Sequence, residues 1–292
     1  MKRIALISLL YLIVNGLYAQ DENLQNYTPS ILFGKGDYEF KSFQNLFESP
    51  VDGGERQTFF TSINQFLYGV NSQINVGFDL WVHSTNRPLA LSNGVGPEFV
   101  RNGDRVTQSG ISLFGPKIKI APFKGLERLS IQSSYLFSTI DDKENKSPDS
   151  DRPNFFFSND RSIWLTQFFY DLPVSDKFQL FFQQAFWYSN VHDSFAQNNF
   201  LETQSSVFFS YFADSRWTLY GMTEYFPTHY NSGEQTAEAF NNWFVQSGLG
   251  VKYQLIPGLI ELETLYTNFW LGSEGRDVGQ TFNFGIRLIN QK

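Results

Sequence analysis

The chain contains no cysteine, so disulfides and thiolate metal sites are excluded at once. Three histidines spread over 292 residues are too few and too scattered to suggest a metal centre, and no cofactor-binding motif stands out. Basic residues do not predominate: the formal net charge is −7, whereas a nucleic-acid partner would want a basic face. Long hydrophobic runs are missing as well. A spanning helix needs roughly 20 consecutive apolar residues, and no segment after Ala19 supplies them.

One short apolar run is present at the N-terminus. Lys2 and Arg3 form a basic start, Ile4 to Val14 an apolar stretch, and Gly16-Leu17-Tyr18-Ala19 a small-residue ending. This is the pattern of a secretory signal, residues 1–19, cleaved near Ala19 and Gln20. No cysteine follows it, so a lipoprotein anchor is excluded. The expected product is an exported chain.

Aromatic residues are abundant. They make up 18% of the chain, with 32 Phe, although the mean hydropathy is −0.28. Alternation reconciles the two numbers. In Gln73 to His83, Ile74, Val76, Phe78, Leu80 and Val82 share one face, and Gln73, Asn75, Asp79 and His83 share the other. Period two marks a strand. The same pattern recurs at Leu129–Phe137, Leu201–Tyr211, Trp243–Tyr253 and Thr281–Leu288. Less regular strands are expected at Tyr38–Phe47, Thr58–Tyr68, Ile111–Ile120, Ile163–Leu172, Phe178–Tyr188, Trp217–Phe226 and Ile260–Trp270, several with aromatics on both faces. If Phe178, Leu180, Phe182 and Phe186 point outward, Phe181 and Trp187 point inward, and Gln184 is left facing lipid.

The connections alternate in length. Short ones fall at Gly69–Ser72, Pro122–Gly125, Pro173–Asp176, Ala213–Ser215 and Ile256–Gly258. Long polar ones fall at Ser84–Val106, Asp141–Asp160, Asn190–Phe200 and Thr228–Asn241. Outer-membrane barrels pair short periplasmic turns with longer external loops. The expected fold is therefore all-β: a transmembrane antiparallel up-and-down β-barrel of about 12 strands over residues 37–292. Residues 20–36 precede it as a lead-in or a small plug. The competing soluble reading is a β-sandwich or propeller, which also has short alternating strands. The expected location is the outer membrane, with its lipid, lipopolysaccharide and the barrel-assembly machinery as partners.

Leu113-Phe114-Gly115-Pro116-Lys117-Ile118-Lys119-Ile120-Ala121-Pro122-Phe123, followed by Leu129-Ser130-Ile131-Gln132-Ser133, resembles a segment of uncharacterised Bacteroidota outer-membrane barrels. These are transporter-like and similar to the phenol-degradation meta-pathway barrel group. The resemblance implies the barrel fold, the outer membrane and a transport role. It carries no catalytic residues.

An aromatic outside leaves the charges inside. Asp79, Lys117, Lys119, Arg128, Glu202, Glu224, Lys252, Glu261, Glu263 and Arg287 are the expected lumen-lining set, because ionisable groups at membrane depth need water or a partner. The functional expectation is passive passage of a small, unidentified solute through a narrow mixed-charge lumen. The alternatives are a structural barrel without a pore and a lipid hydrolase. The hydrolase rests on His192-Asp193-Ser194, where His192 and Ser194 share a strand face as in outer-membrane phospholipases. The Asn-Gly-Arg that follows the serine there is replaced by Phe195-Ala196-Gln197, so a solvated loop explains the segment better. Asp141-Asp142-Lys143-Glu144 and Asp149-Ser150-Asp151 lack calcium-loop spacing and its turn glycine.

Overall fold

A computed structural model describes residues 29–50, 56–88, 105–126, 128–139, 161–191, 199–230, 242–273 and 279–290. Twelve strands follow one another: β1 Tyr38–Pro50, β2 Arg56–Asn71, β3 Ile74–Pro88, β4 Arg105–Ile120, β5 Leu129–Ser138, β6 Arg161–Ser175, β7 Phe178–Val191, β8 Phe200–Phe212, β9 Trp217–Tyr230, β10 Asn242–Ile256, β11 Ile260–Gly272 and β12 Gln280–Asn290. Each pairs antiparallel with its chain neighbours, and β1 pairs with β12, so the sheet closes into a barrel. The closing register runs from Tyr38 opposite Asn290 to Glu48 opposite Gln280. The chain is thus a closed up-and-down β-barrel, and every expected strand lies within an observed one except at Gln73, which falls in the turn one residue before β3.

Burial is the reverse of that in a water-soluble sheet. Leu249 is 77% exposed and Phe282 50%, while Asp79 is fully buried and Lys117 only 4% exposed. In water such a surface would forfeit the hydrophobic contribution of each ring, about 1.5–3 kcal/mol for a buried Leu or Phe. In a bilayer it is the expected wall, with the polar series turned to the interior. The sandwich reading fails here: it needs the apolar series between two sheets, and that series is on the outside.

Some polar side chains do face outward, and they are set opposite one another on adjacent strands. Ser42 is in register with Asn64 and donates to its Oδ1 at 2.7 Å. Gln44 Nε2 reaches Ser62 Oγ at 3.0 Å. Ser133 and Thr166 lie 3.1 Å apart, and Thr223 and Ser247 lie 3.0 Å apart. Gln184 does face outward, as the alternation implied. Ser205, directly opposite, donates to its Oε1 at 2.6 Å. Each pairing spares a polar group the cost of lying unbonded in hydrocarbon.

The tight ends follow turn chemistry. In Ile256-Pro257-Gly258-Leu259, Gly258 takes φ 75° and Leu259 N–H donates to Ile256 O at 2.9 Å. Proline then glycine at the two central positions suits a type II turn. Asp214 accepts backbone N–H groups from Arg216 at 2.7 Å and Trp217 at 2.8 Å, which hold its carboxyl below the usual carboxylate range. The opposite ends of the strands run further than expected. β3 and β4 stay paired as far as Pro88 opposite Arg105, so Ser84–Pro88 and Arg105–Val106 are strand rather than loop. The polar residues there do not stop pairing, because backbone ladders need no apolar face. Pro173, expected in a turn, lies in β6 opposite Gln179 at a register shift, where the missing N–H is tolerated.

Two changes test the outward face. Leu249→Arg is expected to cost about 2–4 kcal/mol if this position is near the bilayer midplane; the same change on a water-exposed surface stays within about 0.5 kcal/mol. Ser205→Ala should cost about 1–3 kcal/mol by leaving Gln184 Oε1 without its donor, and Gln184→Leu in that background should recover most of it. Urea unfolding in detergent micelles reads all three.

Candidate functional site

Side chains of alternate residues converge inside the barrel on a cavity of about 650 Å³. Its ionic part sits toward the end with the tight turns. Arg287 of β12 is the centre. Its Nε donates to Glu39 Oε2 of β1 at 2.5 Å, across the closing seam, and its Nη1 lies 3.9 Å from Glu261 Oε1 of β11. Glu39 also meets Lys41 at 3.1 Å. Glu261 accepts from Gln254 Nε2 as well. Lys252 lies 3.6 Å from Glu263, and Tyr220 OH donates to Glu263 at 2.5 Å.

Tyr220 on β9 reaches Glu263 on β11 by passing over β10. It can do so because Gly250 lies between: a Cβ there would stand 2.3 Å from the tyrosine ring.

The ten residues expected in the lumen divide into groups. Lys119, Glu224, Lys252, Glu261, Glu263 and Arg287 line the cavity. Asp79 and Lys117 do not: they are buried against each other as an ion pair, and Ser134 donates to Asp79 at 2.8 Å. Glu202 is half-buried on β8 and accepts from Thr228 Oγ1 at 3.3 Å. Arg128 is in the β4–β5 connection, one residue before β5, and outside the cavity wall. Its backbone carbonyl accepts from Asp171 N–H at 3.1 Å, which keeps it in the turn. His192, Ser194 and the acidic stretch 141–151 lie outside the described residues. Among the described residues no group of His, Asp and Glu is placed to hold a metal.

Several interior groups were not anticipated. Glu39 and Lys41 alternate with Phe43 and Asn45 on β1, a period-two signal that the aromatics on both sides of it obscured. An apolar mound of Trp81, Leu113, Leu136, Ile163, Leu165 and Ala185 fills one side of the interior, where a wholly polar lumen was expected. His83 Nδ1 contacts Ser112 Oγ, yet Ser112 is fully buried and its Oγ bonds Trp81 O at 3.2 Å, so it offers no accessible nucleophile.

The segment before β1 is fastened to the same wall. Lys119 Nζ donates to Pro29 O at 2.5 Å and Ile31 O at 2.7 Å. Asn75 accepts from Phe33 N–H at 2.8 Å and donates to Phe33 O at 2.9 Å. Ser30 bonds Asp171. Phe33 is 2% exposed.

A closed twelve-stranded antiparallel barrel, apolar outside and with charges and amides beside the apolar mound within, has the architecture of outer-membrane β-barrels. An outer-membrane channel from Pseudomonas putida F1 superposes with a TM-score of 0.59 at 8% identity, covering 91% of this chain and 99% of that one. The NanC porin, TM-score 0.46 at 8% identity over 85% and 98%, and the KdgM porin, TM-score 0.44 at 6% identity over 86% and 98%, are more distant. At these identities the likeness is one of fold, carried by the Pseudomonas putida channel. No protein-family model matches the sequence, and no curated protein does.

Arg287→Met is expected to destabilise the barrel by about 3–5 kcal/mol, since Glu261 would remain buried without its cation and Glu39 would keep only Lys41. Adding Glu39→Gln and Glu261→Gln should recover part of that loss, the remainder being Lys41 left without its carboxylate. Unfolding midpoints of the single and triple variants in detergent check it; equal midpoints for the two would remove Arg287 from the role assigned to it.

Proposed function

We propose that the chain is a channel of the bacterial outer membrane through which small polar solutes pass passively. The carrying observation is the cavity of about 650 Å³ inside the barrel, walled by neutral amides and by charges engaged in ion pairs or, for Lys119 and Glu224, in hydrogen bonds to neutral groups. Roughly eight strands enclose a lumen filled by side chains and about sixteen leave an aqueous channel; twelve with a central cavity favours a narrow path. The aromatic outer wall supports an outer-membrane location, with lipid and lipopolysaccharide around the barrel and the assembly machinery as the route of insertion. The export signal at residues 1–19 and the Bacteroidota resemblance at residues 113–133 belong to the same reading.

Residues 29–36 act in this reading as a small plug at the tight-turn end, which we take as periplasmic. Lys119 and Asn75 are its tethers. The alternative, a structural barrel without a pore, draws on the apolar mound of Trp81 and its neighbours, which narrows the interior. The lipid-hydrolase alternative would need His192 and Ser194, and phospholipid hydrolysis abolished by Ser194→Ala would restore it.

Planar-bilayer recording of the purified protein decides between channel and closed barrel; absence of discrete conductance steps would sink the channel. If it conducts, Lys119→Met with Asn75→Ala should raise the conductance by loosening the plug. Glu263→Gln should move the reversal potential toward anions by freeing Lys252, and Lys252→Gln should move it toward cations. Both shifts should shrink at 1 M salt, where the Debye length is about 3 Å.

A further inference from the structure

Two ladders of aromatic rings cross the interior. The upper one joins five rings on strands that are neighbours or separated by one strand. Phe59 and Phe47 have centroids 5.8 Å apart, Phe47 and Phe269 5.6 Å, Phe269 and Phe244 4.6 Å, and Phe244 and Phe226 5.1 Å with planes 7° apart. Phe47 on β1 and Phe269 on β11 meet across β12 because Gly279 lies between them. A Cβ at Gly279 would come within 2.8 Å of one ring and 2.9 Å of the other. The lower ladder runs through Phe169, Phe181, Phe208 and Tyr220 at 5.8, 5.4 and 6.4 Å. Lys119 Nζ lies 5.7 Å from the Phe169 ring at one end, and Lys252 Nζ 5.4 Å from the Tyr220 ring at the other. Strand β9 supplies the last ring of each ladder.

The upper rings are half-buried and none belongs to the apolar mound. What distinguishes them is the residue two positions along each strand. Phe59 is followed by Thr61 and Phe244 by Gln246, while Phe47 is preceded by Asn45, Phe269 by Thr267 and Phe226 by Glu224. All five of these polar residues line the cavity. Each ring therefore stands about 7 Å from a hydrogen-bonding group on the same face of the same strand. An apolar solute would gain nothing from that polar row. A sugar uses both, because its C–H faces stack on rings and its hydroxyls both donate and accept, as amide side chains do.

The charges argue for a neutral sugar. Both Glu224 oxygens are already engaged, by Gln246 Nε2 at 2.7 Å, Gln204 Nε2 at 2.5 Å and Ser206 Oγ at 2.9 Å. That carboxylate holds the amides in place and would repel an acidic ligand. The nearby Lys252 and Arg287 are committed to carboxylates. We infer that the lumen is a binding lane for neutral oligosaccharides, with the rings as stacking steps and the Asn45 and Gln246 amides, the latter held by Glu224, as the hydroxyl-reading side. This rests on the channel reading and specifies its solute.

The test uses the detergent-solubilised full chain and three probes: maltohexaose, trigalacturonate and toluene. Saturation-transfer NMR reports contact between protein and probe protons. Maltohexaose should bind with millimolar affinity, and Phe244→Ala and Phe269→Ala should each weaken it about two- to tenfold. Gly279→Val, which wedges the Phe47–Phe269 contact apart, should weaken it as well. Unboiled and boiled gel mobility confirms that each variant is folded. Absence of transfer to maltohexaose, or equal transfer in folded ladder variants, overturns the lane. Toluene binding in place of the sugar, or trigalacturonate binding as tightly, overturns the ligand class. Conductance is recorded in parallel without sugar. A conducting protein that binds no sugar sinks the lane alone, whereas sugar binding without conductance upholds the lane and sinks passage.

Discussion

Backbone hydrogen bonding in hydrocarbon is the constraint on which this molecule depends. Every N–H and C=O in the membrane must find a partner within the protein, since none is offered by lipid. For a sheet, the only complete solution is closure, and here closure is the pairing of β1 with β12 from Tyr38 to Glu48. The Glu39–Arg287 ion pair spans that seam and carries on to Glu261 in β11. The same demand reaches the side chains. Gln184 with Ser205, Ser42 with Asn64, and Thr223 with Ser247 are outward polar residues that bond across strands rather than to water.

Once the wall is closed, its interior must be occupied by something other than bulk hydrocarbon. This barrel divides the task. An apolar mound around Trp81 and Leu136 fills one side. Paired charges around Arg287 and Lys252 occupy the tight-turn end, and the chain before β1 is tied to Lys119 and Asn75 there. The cavity that remains is bordered by rings and amides. Glycines set its shape as much as large side chains do: Gly250 lets Tyr220 reach Glu263, and Gly279 lets Phe47 reach Phe269.

The legibility of the strands varied for a physical reason. β3 reads cleanly because its outward residues are Ile74, Val76, Phe78 and Leu80 and its inward ones are mainly polar, so hydrophobicity alone separates the faces. β7 and β9 read poorly because Phe181, Tyr220, Met222 and Phe226 point inward, and an inward ring is indistinguishable from an outward one by composition. The aromatics that blurred the alternation are the ones that build the ladders. Alternation puts Lys119, Lys252 and Glu263 on the inner face, where they border the cavity, but it did not expose Glu39 and Lys41, whose strand carries rings on both faces. The sealed Asp79–Lys117 pair was not legible either, because the same alternation holds whether or not a neighbour covers them.

Alternation, turn residues and the shortage of long apolar runs were enough by themselves to determine an all-β barrel, a count of about twelve strands and, where the inner face is polar as in β3, the side that faces outward. These are local properties: period two lies within a strand, and a turn lies within four residues. Which side chains meet was decided only by the closed sheet. Arg287 is 248 residues from Glu39, Phe47 and Phe269 meet from opposite ends of the chain, and Lys119 finds the carbonyls of Pro29 and Ile31. Such contacts depend on register, tilt and closure together, and no short window of sequence carries them.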